Sequence, residues 1–455
     1  MLKNFTSPNG QPNIPFSVKD FPAGIREILE TIDSDKWRMR YLLAFLPCIA
    51  SYEERVRAKY AFSDEVHAPL FDVVVVGYPA SGKSFIRKLA DQVMAPIEKA
   101  DEEERRTLQA YRDAVAPKKK ADIDRPLTCI RCLTASTSQA AIQKYAADTY
   151  QRYGDYLPFF YLSEEATMLA RSNKTDWCNM QEIMRLGFDY GSKFGNDRAH
   201  ADCSSVKVEV RMNMLLSTTF TGVDKLFTPS QIEQGTVSRF IPIFLDEEIG
   251  ALPPRIRSMN EEKKEKLSSV LQALRENTFK SETELQDECW LDMSWLFRDV
   301  ENWCEAHRQR AIELESRSYE SFYRRASVIG FRGAMLFYYL YLVESELCLQ
   351  SSRTEKWIRK KVRALYSWLA DYVIQENYLR WGEKLDNIIC KVESPVKASN
   401  SILALLPAEF SREELDLKMR QLGNKSNVKV RVCQWKARGL IVETSKFQYK
   451  KILRA

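Results

Sequence analysis

Val73-Val74-Val75-Val76-Gly77-Tyr78-Pro79-Ala80-Ser81-Gly82-Lys83-Ser84 is the stretch on which the fold turns. Four successive β-branched residues ahead of a turn read as a strand buried on both faces, the pattern of a parallel sheet. The next eight match G-x-x-x-x-G-K-[ST], a phosphate-binding loop. Phe85 to Val93 then keeps a helical pattern without a breaker. Gly77 and Gly82 permit backbone angles that a side chain would forbid. Successive N–H groups can then face phosphate oxygens at a helix N-terminus, where the dipole favours anions. Pro79, Ser81 and Phe85 complete the nucleotide cradle. Lys83 is expected to reach the β- and γ-phosphates of ATP, and Ser84 to ligate Mg2+.

A P-loop that hydrolyses ATP needs carboxylates at the end of a second strand. Phe159 to Leu162 is an apolar strand ending in Ser163-Glu164-Glu165. Glu164 is the candidate metal-supporting acid and Glu165 the one that orients the attacking water. The plain alternative is two acids opening a helix. Met212 to Leu216 reads as a further core strand and ends in Ser217-Thr218-Thr219. Thr218 or Thr219 is the candidate sensor of the γ-phosphate. Arg239, just before a last strand over Ile241 to Leu245, is the candidate finger for a neighbouring subunit's site; a structural salt bridge is the alternative.

Around this core the chain divides into 1–67, an arm and helical platform; 68–250, an α/β P-loop ATPase core of mostly parallel sheet flanked by helices; 251–393, a helical bundle; and 394–455, a basic winged-helix domain. Ala95 to Lys120, with Lys118-Lys119-Lys120, reads as a charged helical insertion with a solvated face. Leu127 to Leu133 reads as a strand, and Ser136 as the cap of a helix through Tyr150. Cys129 and Cys132 lie on that strand, but no second ligand pair follows, so zinc is not expected. His67, His200 and His307 form no metal motif. Arg324, Arg325 and Arg332 lie on a long apolar helix; they could reach the nucleotide or pair along the helix surface.

Charge sharpens the reading of the C-terminus. The net charge is +6, from 68 Lys/Arg and 62 Asp/Glu. Residues 395–455 hold 13 Lys/Arg and 5 Asp/Glu, a net of +8, which leaves −2 for the rest. This concentration suggests a polyanion partner. Helices over Ile402 to Leu406, Arg412 to Leu422 and Ser426 to Arg438, then a hairpin around Ser445-Lys446, form a winged-helix pattern. Its third helix would present Lys425, Lys429, Arg431, Gln434, Lys436 and Arg438 to single- or double-stranded DNA, with Lys446 in the wing. Ten scattered cysteines and no apolar signal core lead us to expect a cytoplasmic chain. No run of 18 apolar residues is present, and no membrane partner is expected.

The constellation resembles an uncharacterised family of P-loop ATPases from bacterial mobile elements and prophages, similar to primase-associated helicases. The resemblance covers roughly Ile14 to Gln350. It is carried by the Gly77–Ser84 loop, Ser163-Glu164-Glu165, Asp189-Tyr190-Gly191 with Arg198 beyond, and Gly235-Thr236-Val237-Ser238-Arg239-Phe240. The family pattern at the second site is Ser-Asp-Glu, so Glu164 is a departure. The resemblance implies an ATP-driven, Mg-dependent nucleic-acid motor for DNA replication, a homo-oligomer such as a hexameric ring, and a primase partner. Two other classes fit the residues: a nucleotide-switched DNA-binding regulator and an ATP-driven protein remodeller.

Overall fold

The computed structural model describes residues 14–115, 124–167, 169, 180–195, 207–246, 249–252, 254–347, 353–392, 402–403, 405–421, 427–437 and 440–452. Helices α1 (Ile25–Leu29) and α2 (Asp35–Ala50) open the chain, followed by short strands β1 (Val56–Lys59) and β2 (Val66–His67). The strands were not expected; the sequence reads as two or three helices from Asp20 to Ala58. β1 pairs antiparallel with β2 and parallel with β10 (Cys289–Trp290), tying this segment to the later helical layer.

The central sheet has five strands, all parallel: β3 (Asp72–Gly77), β4 (Cys132–Leu133), β5 (Phe159–Ser163), β8 (Met212–Thr218) and β9 (Phe240–Leu245). Their spatial order is β4-β5-β8-β3-β9. The four valines are fully buried because helices cover both faces. The strand expected over Leu127 to Leu133 is confined to Cys132 and Leu133. Its helix, α5 (Gln139–Tyr153), is capped by Ser138 rather than Ser136.

Side chains close both edges of the sheet. On β9 the outward carbonyls of Phe240, Pro242 and Phe244 accept from Asn377, Tyr372 and Arg40 at 3.1, 2.8 and 3.0 Å. On β4, Asp101 accepts the Arg131 and Cys132 N–H groups, and Arg105 donates to the Cys132 carbonyl. Asp101 and Arg105 lie on α4 (Ala95–Val115), so that helix does more than present a solvated face. Burial raises the Asp101 carboxyl to about 6. An edge strand left bare would expose unpaired donors and acceptors, so this capping has a clear physical purpose. Lys118 to Lys120 and His200 lie outside the described residues.

Helices α3 (Phe85–Val93), α6 (Met180–Phe188), α7 (Phe220–Leu226) and α8 (Pro229–Glu233) belong to the sheet region, with a short pairing of β6 (Lys193–Phe194) and β7 (Val208–Glu209) beside it. Helices α9 (Glu261–Glu276), α10 (Ser294–Leu314), α11 (Arg317–Glu346) and α12 (Glu355–Val392) form the helical layer. One apolar core runs from Phe21 through the sheet to Leu385. By length and composition α11 could cross a membrane, but most of its apolar stretch is buried in this core. There Gly330 lets it approach α12, since a Cβ would stand 2.9 Å from the Tyr366 carbonyl and the Ala370 methyl.

The C-terminal unit has its own small core, built from Phe410, Leu415, Trp435, Tyr449 and their neighbours. It contains β11 (Glu409–Ser411), α13 (Arg412–Gln421), α14 (Val428–Ala437), β12 (Ile441–Ser445) and β13 (Gln448–Lys451), with strand order β11-β13-β12. The expected helix over Ile402 to Leu406 is not formed by the described residues there, which make turns, and β11 went unforeseen. Ser411 and Glu414 form a capping box that starts α13.

Candidate functional site

Ligands in open α/β sheets bind beyond the carboxyl ends of the strands. Here β3 ends at Gly77 and the chain reverses through Tyr78 to Ser84 into α3. Gly82 has φ 87° and Ala80 φ 61°. Gly77 is needed for a different reason: a Cβ there would stand 2.8 Å from Leu245 Cβ and 2.5 Å from Ser81 Oγ. Lys83 folds back over the loop, its Nζ donating to the Gly77 and Tyr78 carbonyls at 3.0 and 2.6 Å. Burial lowers its pKa. Ser84 is exposed at the N-terminus of α3, and Pro79 is exposed on the loop. Phe85 is buried against Trp37 and Tyr41 of α2, at ring separations of 5.6 and 4.8 Å. The N-terminal helices therefore brace the loop directly.

The expected carboxylates arrive at the same end. β5 is separated from β3 by β8 alone, so the two strands lie roughly 10 Å apart. Glu164 reaches Arg87 of α3 at 3.2 Å, and its carbonyl accepts from Ser217 Oγ at 2.7 Å. Glu165 is exposed and accepts from Thr167 Oγ1 at 3.3 Å. Of the two threonines, Thr219 caps α7, accepting from Gly222 N–H at 3.1 Å. Thr218 lies opposite Val76 in the register, and its buried hydroxyl has no hydrogen-bond partner among the described residues. Ser81 Oγ is likewise buried without one.

Arg239 lies elsewhere. It precedes β9, whose Phe240 pairs with Asp72, so it stands at the amino end of the sheet, roughly 16 Å from the loop. There it forms an ion pair with Asp189 at 2.6 Å and donates to the Gly235 carbonyl. The salt-bridge alternative describes its place in this chain; a finger role would need that pair to open. Arg325 joins the same carboxylate at 3.0 Å. Burial pushes Asp189 up, but Arg239 and Arg325 outweigh it and the net shift is downward. Arg332, fully buried, donates to the Leu70 and Phe188 carbonyls at the same end, and burial lowers it to about 9. Arg324 pairs with Glu320 along its own helix. None of these three helix arginines approaches the loop. Arg198 lies outside the described residues.

A different arginine does approach it, and sequence reasoning missed it. Arg380 of α12 places its guanidinium 5.4 Å from the Phe220 ring and 5.5 Å from that of Phe244. Phe220 in turn sits 4.7 Å from the ring of Tyr78, which is 63% exposed on the loop. Arg380 has no ion pair among the described residues. Only the turn of α12 against β9 places it here, and no local motif announces it.

At the C-terminus α14 does not offer the expected row of free cations. Arg431 is 2% exposed and pairs with Glu315 at 2.7 Å, while Trp435 Nε1 donates to the other oxygen of that carboxylate at 3.0 Å. Lys436 is bound to Glu443. Both were expected to face DNA; burial or pairing takes them away from it. Lys429 and Lys446 are exposed. Lys425, Arg438 and the Gln434 side chain lie outside the described residues. Cys129 and Cys132 are buried free thiols, both raised by burial. Comparison with protein families finds no family model that matches this chain, and comparison with curated proteins finds no match.

Proposed function

We propose that the chain binds ATP and Mg2+ at Gly77–Ser84 and hydrolyses the nucleotide to act on nucleic acid, as a helicase-like or replication-initiation ATPase of a mobile genetic element. The observation that carries this reading is the meeting of Lys83, Ser84, Glu164 and Glu165 at one end of a parallel sheet. Lys83 would exchange two loop carbonyls for phosphate oxygens. Ser81 and Thr218 each keep a buried hydroxyl without a hydrogen-bond partner among the described residues at this end of the sheet. Glu165 would orient the attacking water, and Arg380 would approach the terminal phosphate from the helical layer.

The donor set fits Mg2+. Among the described residues no cluster of three His, Cys, Asp or Glu could cage a metal. Mg2+ at a nucleotide keeps most of its waters and takes only one or two protein oxygens beside the phosphates. The exposed Ser84 hydroxyl and the half-exposed Glu164 carboxylate are such oxygens. When bound, the ion would offset charge developing between the β- and γ-oxygens.

A second reading, a nucleotide-switched regulator with little turnover, is favoured by one contact: Arg87 already occupies the Glu164 carboxylate. ATP turnover with and without single-stranded DNA separates the two. DNA-stimulated turnover that vanishes in Lys83→Ala supports the motor. Absent turnover with ATP-dependent DNA binding supports the switch. Turnover indifferent to DNA points to a protein remodeller.

A further inference from the structure

Phe447 sits at the tip of the hairpin between β12 and β13 with φ 66°. Short hairpin turns place glycine or asparagine in this left-handed conformation, because a Cβ is strained there. The ring does not repay that strain by packing. It is 45% exposed, whereas Tyr449, two residues on, is buried in the unit's core. Two cations flank the ring: the Arg412 guanidinium at 5.3 Å and the Lys446 ammonium at 5.6 Å from its centroid. Neither has an ion pair among the described residues. The tip is fixed as well as exposed. The Arg412 N–H donates to the Phe447 carbonyl at 2.9 Å, and the Phe447 N–H to Glu443 Oε1 at 3.2 Å.

A strained residue that serves neither turn nor core points to a role outside the fold. A half-exposed aromatic ring with two unpaired cations over it matches one chemistry well: an unpaired base with a phosphate on either side. The +8 net charge of residues 395–455 favours a polyanion. α14 is a poorer candidate, because Glu315 holds Arg431 and Trp435 and Glu443 holds Lys436.

We propose that Arg412, Lys446 and Phe447 form a binding site for single-stranded nucleic acid, with a base stacked on Phe447 and its neighbouring phosphates on the two cations. The inference rests on the nucleic-acid half of the proposed function and not on ATP turnover.

The test measures binding of the full chain to a labelled oligothymidylate and to a duplex, without nucleotide, over a salt series. Phe447→Gly relieves the turn, so its melting temperature should equal or exceed that of the parent. It should bind oligothymidylate about 10-fold more weakly, with duplex affinity little changed. Phe447→Trp should retain binding. Replacing Arg412 and Lys446 together by alanine should reduce the salt slope by about 1.4. Unchanged oligothymidylate binding by Phe447→Gly would overturn the proposal. So would an equal loss of duplex affinity in that variant. A parent chain that hydrolyses ATP yet binds no oligothymidylate would overturn this site and leave the nucleotide reading standing. Strong oligothymidylate binding that Phe447→Gly abolishes, without turnover, would do the reverse.

Discussion

Gly77 is the residue with the least freedom in the loop between β3 and α3. Gly77→Ala would press a methyl against Leu245 Cβ and Ser81 Oγ. It is expected to cost about 1–3 kcal/mol in denaturant melts and to weaken ATP binding. That glycine was legible because its motif is local: eight consecutive residues specify the turn. Glu164 and Glu165 were legible for the same reason, as an apolar run ending in acids. Arg380 was not, because its position depends on how a helix that begins 110 residues after β9 packs against the sheet. Arg380→Ala is expected to erase the preference for ATP over ADP, about 10-fold from one charge-assisted contact, while ADP affinity stays unchanged. Calorimetry with both nucleotides would check it, and Arg380→Lys should restore part of the difference.

Among the elements, α12 carries a carboxyl inside the core. Glu376 is buried, and burial, helped by Asp246, raises its carboxyl to about 7. A carboxyl raised by folding binds its proton more tightly in the folded chain. Stability should therefore fall as pH rises from about 4.5 to about 7 and level off above that. Glu376→Gln should remove this slope, gaining on the order of 2–3 kcal/mol at pH 8 and almost nothing at pH 4. Thermal melts across that range would test it. The strong patterns of β3, β5, β8 and β9 could be read directly, since burial on both faces writes continuous apolar runs. β1, β2 and β10 could not. Each is a fragment of two to four residues, too short for periodicity and formed only because distant partners meet. Arg239 shows the same limit. Its sequence neighbourhood suggested a site between subunits, but only the fold could reveal Asp189 beside it.

At the scale of the whole molecule, the C-terminal unit and the helical layer are joined through Glu315. This residue ends α10 in a left-handed conformation, φ 49°, and offers both carboxylate oxygens to α14. Breaking a buried, doubly bonded charge pair is costly, because Arg431 would be left alone. Glu315→Ala is expected to loosen the unit without unfolding the sheet. Hydrogen exchange in α14 should then rise while β3 stays protected. Composition marked the basic unit, yet not this contact, since charge counting cannot tell a cation aimed at solvent from one spent inside the chain.

The side-chain caps on β4 and β9 also bear on how copies of this chain could assemble. A parallel sheet with bare edges can be extended by a second molecule, strand to strand, without limit. Here Asp101 and Arg105 occupy one margin, and Arg40, Tyr372 and Asn377 the other. Open-ended growth through the central sheet is thereby blocked.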